Sequence, residues 1–547
     1  MRIRVSFFDI VRILLLAYVL LFILYPLAYF TFNVISPGGL REFINTVTSP
    51  LFISLLRNSI FVSLSVTALT LLIGVPYAYS LHRYKIRGKE LVLALTFLPV
   101  MVPPFVGALS LIFLLGRFGT INLLLLEAGL ISRPINFLYG LHGVILVETL
   151  TLFPWMAINV YNSLLKIDRS LEEAAESLGA TPLTRFSTVT LPLIAPGVLT
   201  GVFMIFSFSF TDYATPIVVG QYQLLAPQAF INVQQAISEE RVRIGSYIVF
   251  FMLVVVLAVF FAMRKYIRLR EYASLRIPRP VEELSLTGVR GAAVSFGVYT
   301  MLALSLLPHI YAFIISLSRI WSFSPFPTAY TLDNFVKILT ATAPLTNTAV
   351  YSFLATLLCF VIGSLSSYLV LRTENPLNWL IDSLLSIMFI VPGIVVGISY
   401  LFAFSWRIPV LNLIGSTWII MPLMLATRRI TYTLRYSFAT LLTIRRSLEE
   451  AAYVLGEKPS LTFLKIVMPN AIFGILAGTL FSFIEIINEL TASLFIYKPG
   501  WETITIQLFI EITSGHPSTA AAYAVLLFLI SGVSTFIATR LVKPRRV

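Results

Sequence analysis

At 547 residues, 58% of them hydrophobic and 12% charged, the chain is far more apolar than a soluble globular protein, and lipid is the expected solvent for most of it. Single domains seldom exceed about 250 to 300 residues, so at least two folding units are expected. A formal charge of +14 would suit nucleic acid, but the Lys and Arg residues fall in short clusters between apolar runs, a pattern that excludes one basic stripe and matches positive-inside orientation.

A bilayer-spanning helix needs about 20 predominantly apolar residues. In chain order the sequence predicts spans near 12–34, 58–81, 91–115, 141–163, 192–212 and 244–263, then 291–318, 346–371, 377–404, 411–434, 469–492 and 520–541, about twelve in all. The first has an apolar stretch too long for a secretory signal and no small-residue cleavage site behind it, so it reads as a retained helix. Arg2, Arg4 and Arg12 precede it, Arg83, Lys85, Arg87 and Lys89 follow the second span, and Arg264, Lys265, Arg268, Arg270, Arg276 and Arg279 follow the sixth. Lys543, Arg545 and Arg546 close the chain, whereas the loops near 35–56, 116–140, 213–243 and 319–345 are poor in Lys and Arg. The positive-inside rule then places both termini in the cytoplasm of a multi-pass protein of the cell membrane.

The halves repeat. Asn58, Gly74, Tyr79, Arg83 and Pro103 recur at one constant offset as Asn347, Gly363, Tyr368, Arg372 and Pro392. Glu172, Gly179 and Pro192 recur at a slightly smaller one as Glu449, Gly456 and Pro469, which places a deletion in the outer loop between the second half's third and fourth spans. An even number of spans per half makes the repeats parallel. The expected architecture is all-α and polytopic: a first transmembrane domain over 1–263, a cytoplasmic linker over 264–290 and a second transmembrane domain over 291–547.

Between the fourth and fifth spans of each half lies one decapeptide, "SLEEAAESLG" at 170–179 and "SLEEAAYVLG" at 447–456. Ser170 with Glu173, and Ser447 with Glu450, have the spacing of a capping box. Glu172 and Glu449 fall in the first turn, where the helix dipole favours negative charge. Leu171, Ala174, Ala175 and Leu178 form a narrow apolar stripe with small residues at its centre, as do Leu448, Ala451, Ala452 and Leu455. Gly179 and Gly456 supply the left-handed stop, and Pro182 and Pro459 are suited to opening a second short helix. An interfacial helix lying on headgroups would carry Lys and Arg on its polar face, and this face is acidic. The stripe is read instead as a knob that enters a partner's cleft, with its flanking charges fixing register.

"EEAAESLGATPLTRFSTVTLPLIAPG" and "EEAAYVLGEKPSLTFLKIVMPNAIFG" resemble the EAA motif of the permease subunits of binding-protein-dependent ABC importers. Two copies in one chain resemble the fused permeases of the ferric-iron and thiamine type. "IGVPYAYSLHRY" and "NELTASLFIYKPGWETITIQLF" support the resemblance, the latter being similar to the ferric-type version of that region. Met468 in place of Leu before Pro469, and Tyr453-Val454 within the second motif, depart from the pattern. The resemblance implies the type I importer fold and a coupling helix in each half, seated in a groove of one of two separate ATPase subunits. It also implies an extracytoplasmic solute-binding protein received by the outer loops. ATP and Mg would be bound by the ATPase, since no G-x-x-x-x-G-K-[ST] cradle is present here and no cofactor is expected in this chain. Ferric iron is the preferred cargo, with thiamine, polyamine, sulfate or phosphonate as alternatives.

Ionisable residues inside spans default to functional hypotheses. Asp212 and Glu489 occupy equivalent places near the outer ends of the spans that follow the motifs, and Glu485 and Asn488 lie just before Glu489. They read as an acidic passage for a cation or as headgroup-level, solvated groups. Arg428 and Arg429 face a cavity, pair with a carboxylate or snorkel from a shorter tilted span. Glu148 and His309 are buried candidates without counterparts and are not expected to act in transport. Pro103, Pro104 and Pro392 sit inside third spans, where a freed carbonyl and a kink suit a gate. No metal site is expected: Cys359 stands alone in an apolar run, and the four histidines, His82, His142, His309 and His516, make no ligand pair. A secondary transporter of the major facilitator kind also has parallel six-span repeats, but "HRYKIRGKE" lacks that family's Asp-Arg-rich pattern and the repeated signature lies elsewhere. A channel or membrane receptor without an ATPase is a third reading.

Overall fold

The computed structural model describes residues 7–236, 238–269, 283–285, 287–405 and 412–542. Arg2, Arg4, Arg270, Arg276, Arg279, Lys543, Arg545 and Arg546, all used to assign orientation, lie outside them. The fold is all-α and polytopic, with ten helices among the described residues long and apolar enough to cross a bilayer. About twelve spans are expected from the sequence, and two of them fall short for identifiable reasons. The stretch 377–404 is two helices, Pro376–Ile387 and Gly393–Phe404, with extended backbone at Pro392 between them. The stretch 411–434 corresponds to Ile420–Thr443, whose 24 residues are interrupted by Arg428, Arg429 and Arg435.

The helices form two compact units that do not follow the sequence halves. One comprises Asn45–Val336 with Glu511–Val525. Its centre is the packing of Pro50–Arg83, Leu141–Leu164 and Leu191–Thr211 around Val66, Ala78, Val147, Met156 and Ile194. Gly74 sits at the closest approach, where a Cβ would come within 2.8 Å of Met156. Small residues of this kind let membrane helices meet backbone to backbone. The helix Gly288–Ser316 packs here as well, with Val298, Leu302 and Tyr311 in the core and the Tyr299 hydroxyl donating to the Arg87 carbonyl at 2.6 Å. Two short antiparallel strands, Ser318–Ile320 and Ala329–Tyr330, follow it.

The other unit comprises Met1–Ile44, Lys337–Ile510 and Leu526–Val547. Thr342–Arg372, Ile420–Thr443 and Met468–Ile487 repeat the same three-helix packing, and Gly363 stands where Gly74 does, a Cβ there coming within 2.9 Å of Thr433. The helical run Phe7–Ile35 joins this unit although it opens the chain. Arg12 donates to Asn378 at 3.0 Å, Tyr18 and Thr427 share a hydroxyl hydrogen bond at 2.8 Å, and Tyr400 donates to the Phe22 carbonyl at 2.6 Å. Each half's first long helix is therefore exchanged, so the compact units cross the boundary that the repeat suggests at 264–290. Of that linker, Leu284 is tied to the first half: its N–H donates to the Arg83 carbonyl at 2.9 Å, and Lys85 N–H donates to its carbonyl at 3.0 Å.

Third-span prolines break helices rather than kink them. Pro104 is the first residue of Pro104–Leu115, after a 3-10 turn Leu98–Met101, and Pro392 precedes Gly393–Phe404. Proline lacks the donor an interior turn needs, yet suits a helix start.

Candidate functional site

The decapeptides fold as the helices Arg169–Ser177 and Ser447–Val454. Both end as expected. Gly179 and Gly456 have φ of 82° and 85°. The N–H of Gly179 donates to Glu176 and that of Ala180 to Ala175, while Gly456 donates to Tyr453 and Glu457 to Ala452, a Schellman closure in each copy. Pro182 and Pro459 open the next short helices, and a π turn follows in each, Phe186–Thr190 and Phe463–Val467. The wider turn relieves the clash of the Pro192 and Pro469 rings with the preceding turn.

The helix starts differ from the capping boxes expected at Ser170 and Ser447. Asp168 is the first cap, accepting from the Ser170 N–H at 3.0 Å, and Glu173 pairs with Arg169 at 2.7 Å instead of reaching back. A carboxylate two residues earlier is a stronger acceptor for a free N–H than the serine hydroxyl. Ser447 is the first helical residue behind Arg446, which has helical backbone angles and makes no side-chain cap. Glu450 lies 3.7 Å from Arg446.

The acidic residues divide by direction. Glu173 and Glu450 are exposed, while Glu172 and Glu449 turn inward at 6% and 2% exposure. Glu172 accepts from Arg83 at 2.8 Å and from the Thr190 hydroxyl at 2.8 Å. Glu449 accepts from Arg372 at 2.6 Å and from the Tyr368 hydroxyl at 2.9 Å. Each ion pair ties a motif helix to the end of the second span of its own half. The leucines point the other way: Leu178 and Leu455 are 89% and 87% exposed, and Leu171 and Leu448 are also exposed. Ala174 and Ala451 share that open face, whereas Ala175 is half-buried and Ala452 buried. The result is a fixed base beneath an uncovered apolar crest.

Four of the charged intramembrane residues come together. Glu489, whose side chain is fully buried, accepts from Arg428 at 2.8 Å, Arg429 at 2.5 Å, Thr491 at 2.9 Å and the Ala492 N–H at 2.9 Å. Arg429 also pairs with Glu485 at 3.0 Å. Arg428 lies against Gly393, where a Cβ would collide with its guanidinium, so the cluster abuts the break after Pro392. The arginines thus pair with carboxylates rather than snorkel. Asn488 does not join them: it donates to Ser531 at 3.1 Å. Asp212, at Glu489's place in the repeat, accepts from the N–H groups of Ala214 and Thr215 at 2.9 and 3.2 Å.

Residues 70–270 and 360–547 match the family described as the binding-protein-dependent transport system inner membrane component. The chain belongs to that family. It is a membrane permease component of an ABC-type importer, a transporter subunit and not a catalyst. Members of the family work with an ATPase subunit and an extracytoplasmic solute-binding protein. The chain is 25% identical over 490 residues to the ferric transport system permease protein FbpB of Actinobacillus pleuropneumoniae, covering 87% of this chain and 69% of that protein. It is 31% identical over 215 residues to a probable molybdenum ABC transporter permease of Haloferax volcanii, covering 39% and 75%. It is 32% identical over 157 residues to the spermidine/putrescine transport system permease protein PotB of Haemophilus influenzae, covering 29% and 55%. Both matched stretches of the permease contain one motif helix with its arginine.

In the sequence Arg83 reads as an orientation signal and Arg83 and Arg372 as equivalent places in the repeat, with no partner for either. The signal that would have found their partners was present: both arginines and both glutamates recur in the repeat, with opposite charge.

Proposed function

We propose that this permease is the fused transmembrane component of a type I importer with both termini cytoplasmic and twelve crossings, two of them made by the broken pair Pro376–Ile387 and Gly393–Phe404 and by the arginine-bearing Ile420–Thr443, carrying ferric iron handed over by a binding protein. Each motif helix is a coupling helix seated in one of two ATPase subunits. Closure of the ATPase pair on ATP moves both helices together and opens the passage outward, and hydrolysis resets it inward. Ser170, Glu173, Ala174 and Gly179, with Ser447, Glu450, Ala451 and Gly456, form the docking face, and Ala175 and Ala452 let each helix sit close on its base. Glu172 and Glu449 transmit its movement to the spans.

The observation that carries this reading is the paired crest, Leu171 with Leu178 and Leu448 with Leu455, exposed above a buried Arg–Glu pair. An apolar edge on a rigid, ion-paired base is what a helix needs in order to pass a push to the membrane rather than bend. Asp212, Arg428, Arg429, Glu485, Asn488 and Glu489 are assigned to the passage, and Pro103, Pro104 and Pro392 to its gates. Iron is favoured because the relative matched over most of this chain is named for ferric transport.

The test is to purify the full chain from its native membrane, identify the ATPase and binding protein that accompany it, and measure metal binding by that binding protein. Recovery of an ATPase with a ferric-ion-binding protein is expected. Uptake driven by an ion gradient in vesicles lacking any ATPase would contradict the reading.

A further inference from the structure

The internal repeat supplies its own control for one buried group. In the second half, Glu489 meets the cations Arg428 and Arg429, which are built into the chain. The equivalent places in the first half hold Asp212, Thr151 and Leu152, so no arginine stands there. A second carboxyl, Glu148, is added on the same helix as Thr151.

Glu148 is 0% exposed, and neither of its carboxyl oxygens has a hydrogen-bond partner among the described residues. The charged group that acts on it is Asp212, another acid. Other charged or titratable groups on the helices packed against Leu141–Leu164 are Arg57, His82 and Arg83 on Pro50–Arg83, Lys89 and Glu90 on Lys89–Phe97, and Arg290 and His309 on Gly288–Ser316, besides tyrosines. None of these acts on Glu148. Two hydroxyls come from two further elements. Ser209 on Leu191–Thr211 and Thr215 on Ala214–Val219 approach Glu148 and Asp212 respectively, both are buried, and neither closes a hydrogen bond of ordinary geometry. Three elements thus aim oxygens with spare capacity at one place.

An ionised carboxylate held in a dry interior without a compensating charge is too costly to persist, and hydroxyls left unpaired add to that cost. The second half meets the same demand with arginine; among the described residues of the first half no cation acts on Glu148. We propose that Glu148 and Asp212, with the hydroxyls of Ser209 and Thr215, form an intramembrane binding site for a small monovalent cation, an alkali ion or a proton. All-oxygen ligation by carboxylate and hydroxyl suits a hard cation. The site shares Asp212 with the assigned passage but does not rest on the identity of the cargo, since it needs neither ATP nor a binding protein to fill.

The full chain in lipid nanodiscs, without ATPase, is the sample, and infrared difference spectra of its carboxyl bands are the readout. Sodium replaces choline at fixed pH in one arm, and pH is stepped in choline in the other. The expected result is a carboxyl band that responds in at least one arm and is absent from Glu148→Gln. A sodium response identifies an alkali ion, and a response to pH alone identifies a proton. Asp212→Asn keeps the cap on Ala214 and Thr215 and should raise the half-saturating cation concentration about tenfold or more, the size expected for one hydrogen-bonding charge. Ser209→Ala should raise it by a smaller factor, and serves as the readout if Glu148→Gln does not insert. Spectra that respond in neither arm, or a response unaltered by all three substitutions, would overturn the proposal.

Discussion

The two motif helices make the same connection with different chemistry. In the first, Glu172 joins Arg83 and Thr190, and Glu176 adds a second acid that contacts Arg185 and lies 3.7 Å from Arg83. In the second, the place of Glu176 is taken by Tyr453, whose hydroxyl lies 3.5 Å from that of Tyr368, while Arg372 Nη2 donates to the Leu441 and Ile444 carbonyls at 3.3 and 2.8 Å. What both copies keep is the single inward Arg–Glu pair. The surrounding hydrogen bonds have been rewritten, so the pair at the elbow, not the exposed acidity, is what the two helices have in common.

The sharpest way to break this comparison is at the intramembrane acids, where the same station is bound in opposite ways. Glu489→Ala takes from Arg428 its carboxylate partner and leaves Arg429 only Glu485, and should cost about 3 to 5 kcal/mol, the loss typical of halving a buried ion pair. Asp212→Ala breaks no ion pair within the chain, removes a cap for Ala214 and Thr215, and with no added alkali ion should cost about 1 kcal/mol. Thermal unfolding of the purified chain compares the two, and equal losses would dissolve the distinction. At the elbows, Arg372→Ala leaves Glu449 with one neutral donor and strips two carbonyls, and should cost about 3 kcal/mol. Arg83→Ala should cost about 1 kcal/mol less, because Arg185 remains within the same acidic cluster. The reverse order would show that the second copy is the more redundant. The smallest effects belong to the residues that differ: Glu176→Gln should cost at most about 1 kcal/mol, since Glu176 is half exposed. Tyr453→Phe should cost about 0.5 kcal/mol or less, its hydroxyl contact being at the limit of hydrogen-bond length.

Hydropathy and the repeat made most of the fold legible, because apolar length and proline or glycine punctuation are local properties. Gly179 and Gly456 are the clearest case: each was readable as a stop and each has the positive φ that a stop requires. Ser170 misleads because the capping box is also local, yet a charged competitor at Asp168 lies two residues upstream; Ser447 misleads because Arg446 before it already has helical backbone angles. Span counting went astray at Pro392 and at Arg428, where the chain departs from a simple apolar rod. The exchange of Phe7–Ile35 and Gly288–Ser316 between halves had no local signature, since an apolar helix face does not name its neighbour. The pairing of Arg428 and Arg429 with Glu489 was open in the sequence as one of several fates, and only the third dimension selected it.

The central claim is that both motif helices carry movement from ATPase to spans, and it is tested most directly in the double variant Gly179→Val, Gly456→Val. A Cβ at either position meets nothing within 4 Å, so the substitution acts through left-handed backbone strain at the helix ends and leaves the spans intact. In vesicles reconstituted with the partner ATPase and the binding protein, hydrolysis and uptake of labelled ferric ion are measured in the same sample. The account predicts continued ATP hydrolysis with uptake lost; ATP-driven uptake at the unmodified rate would contradict it.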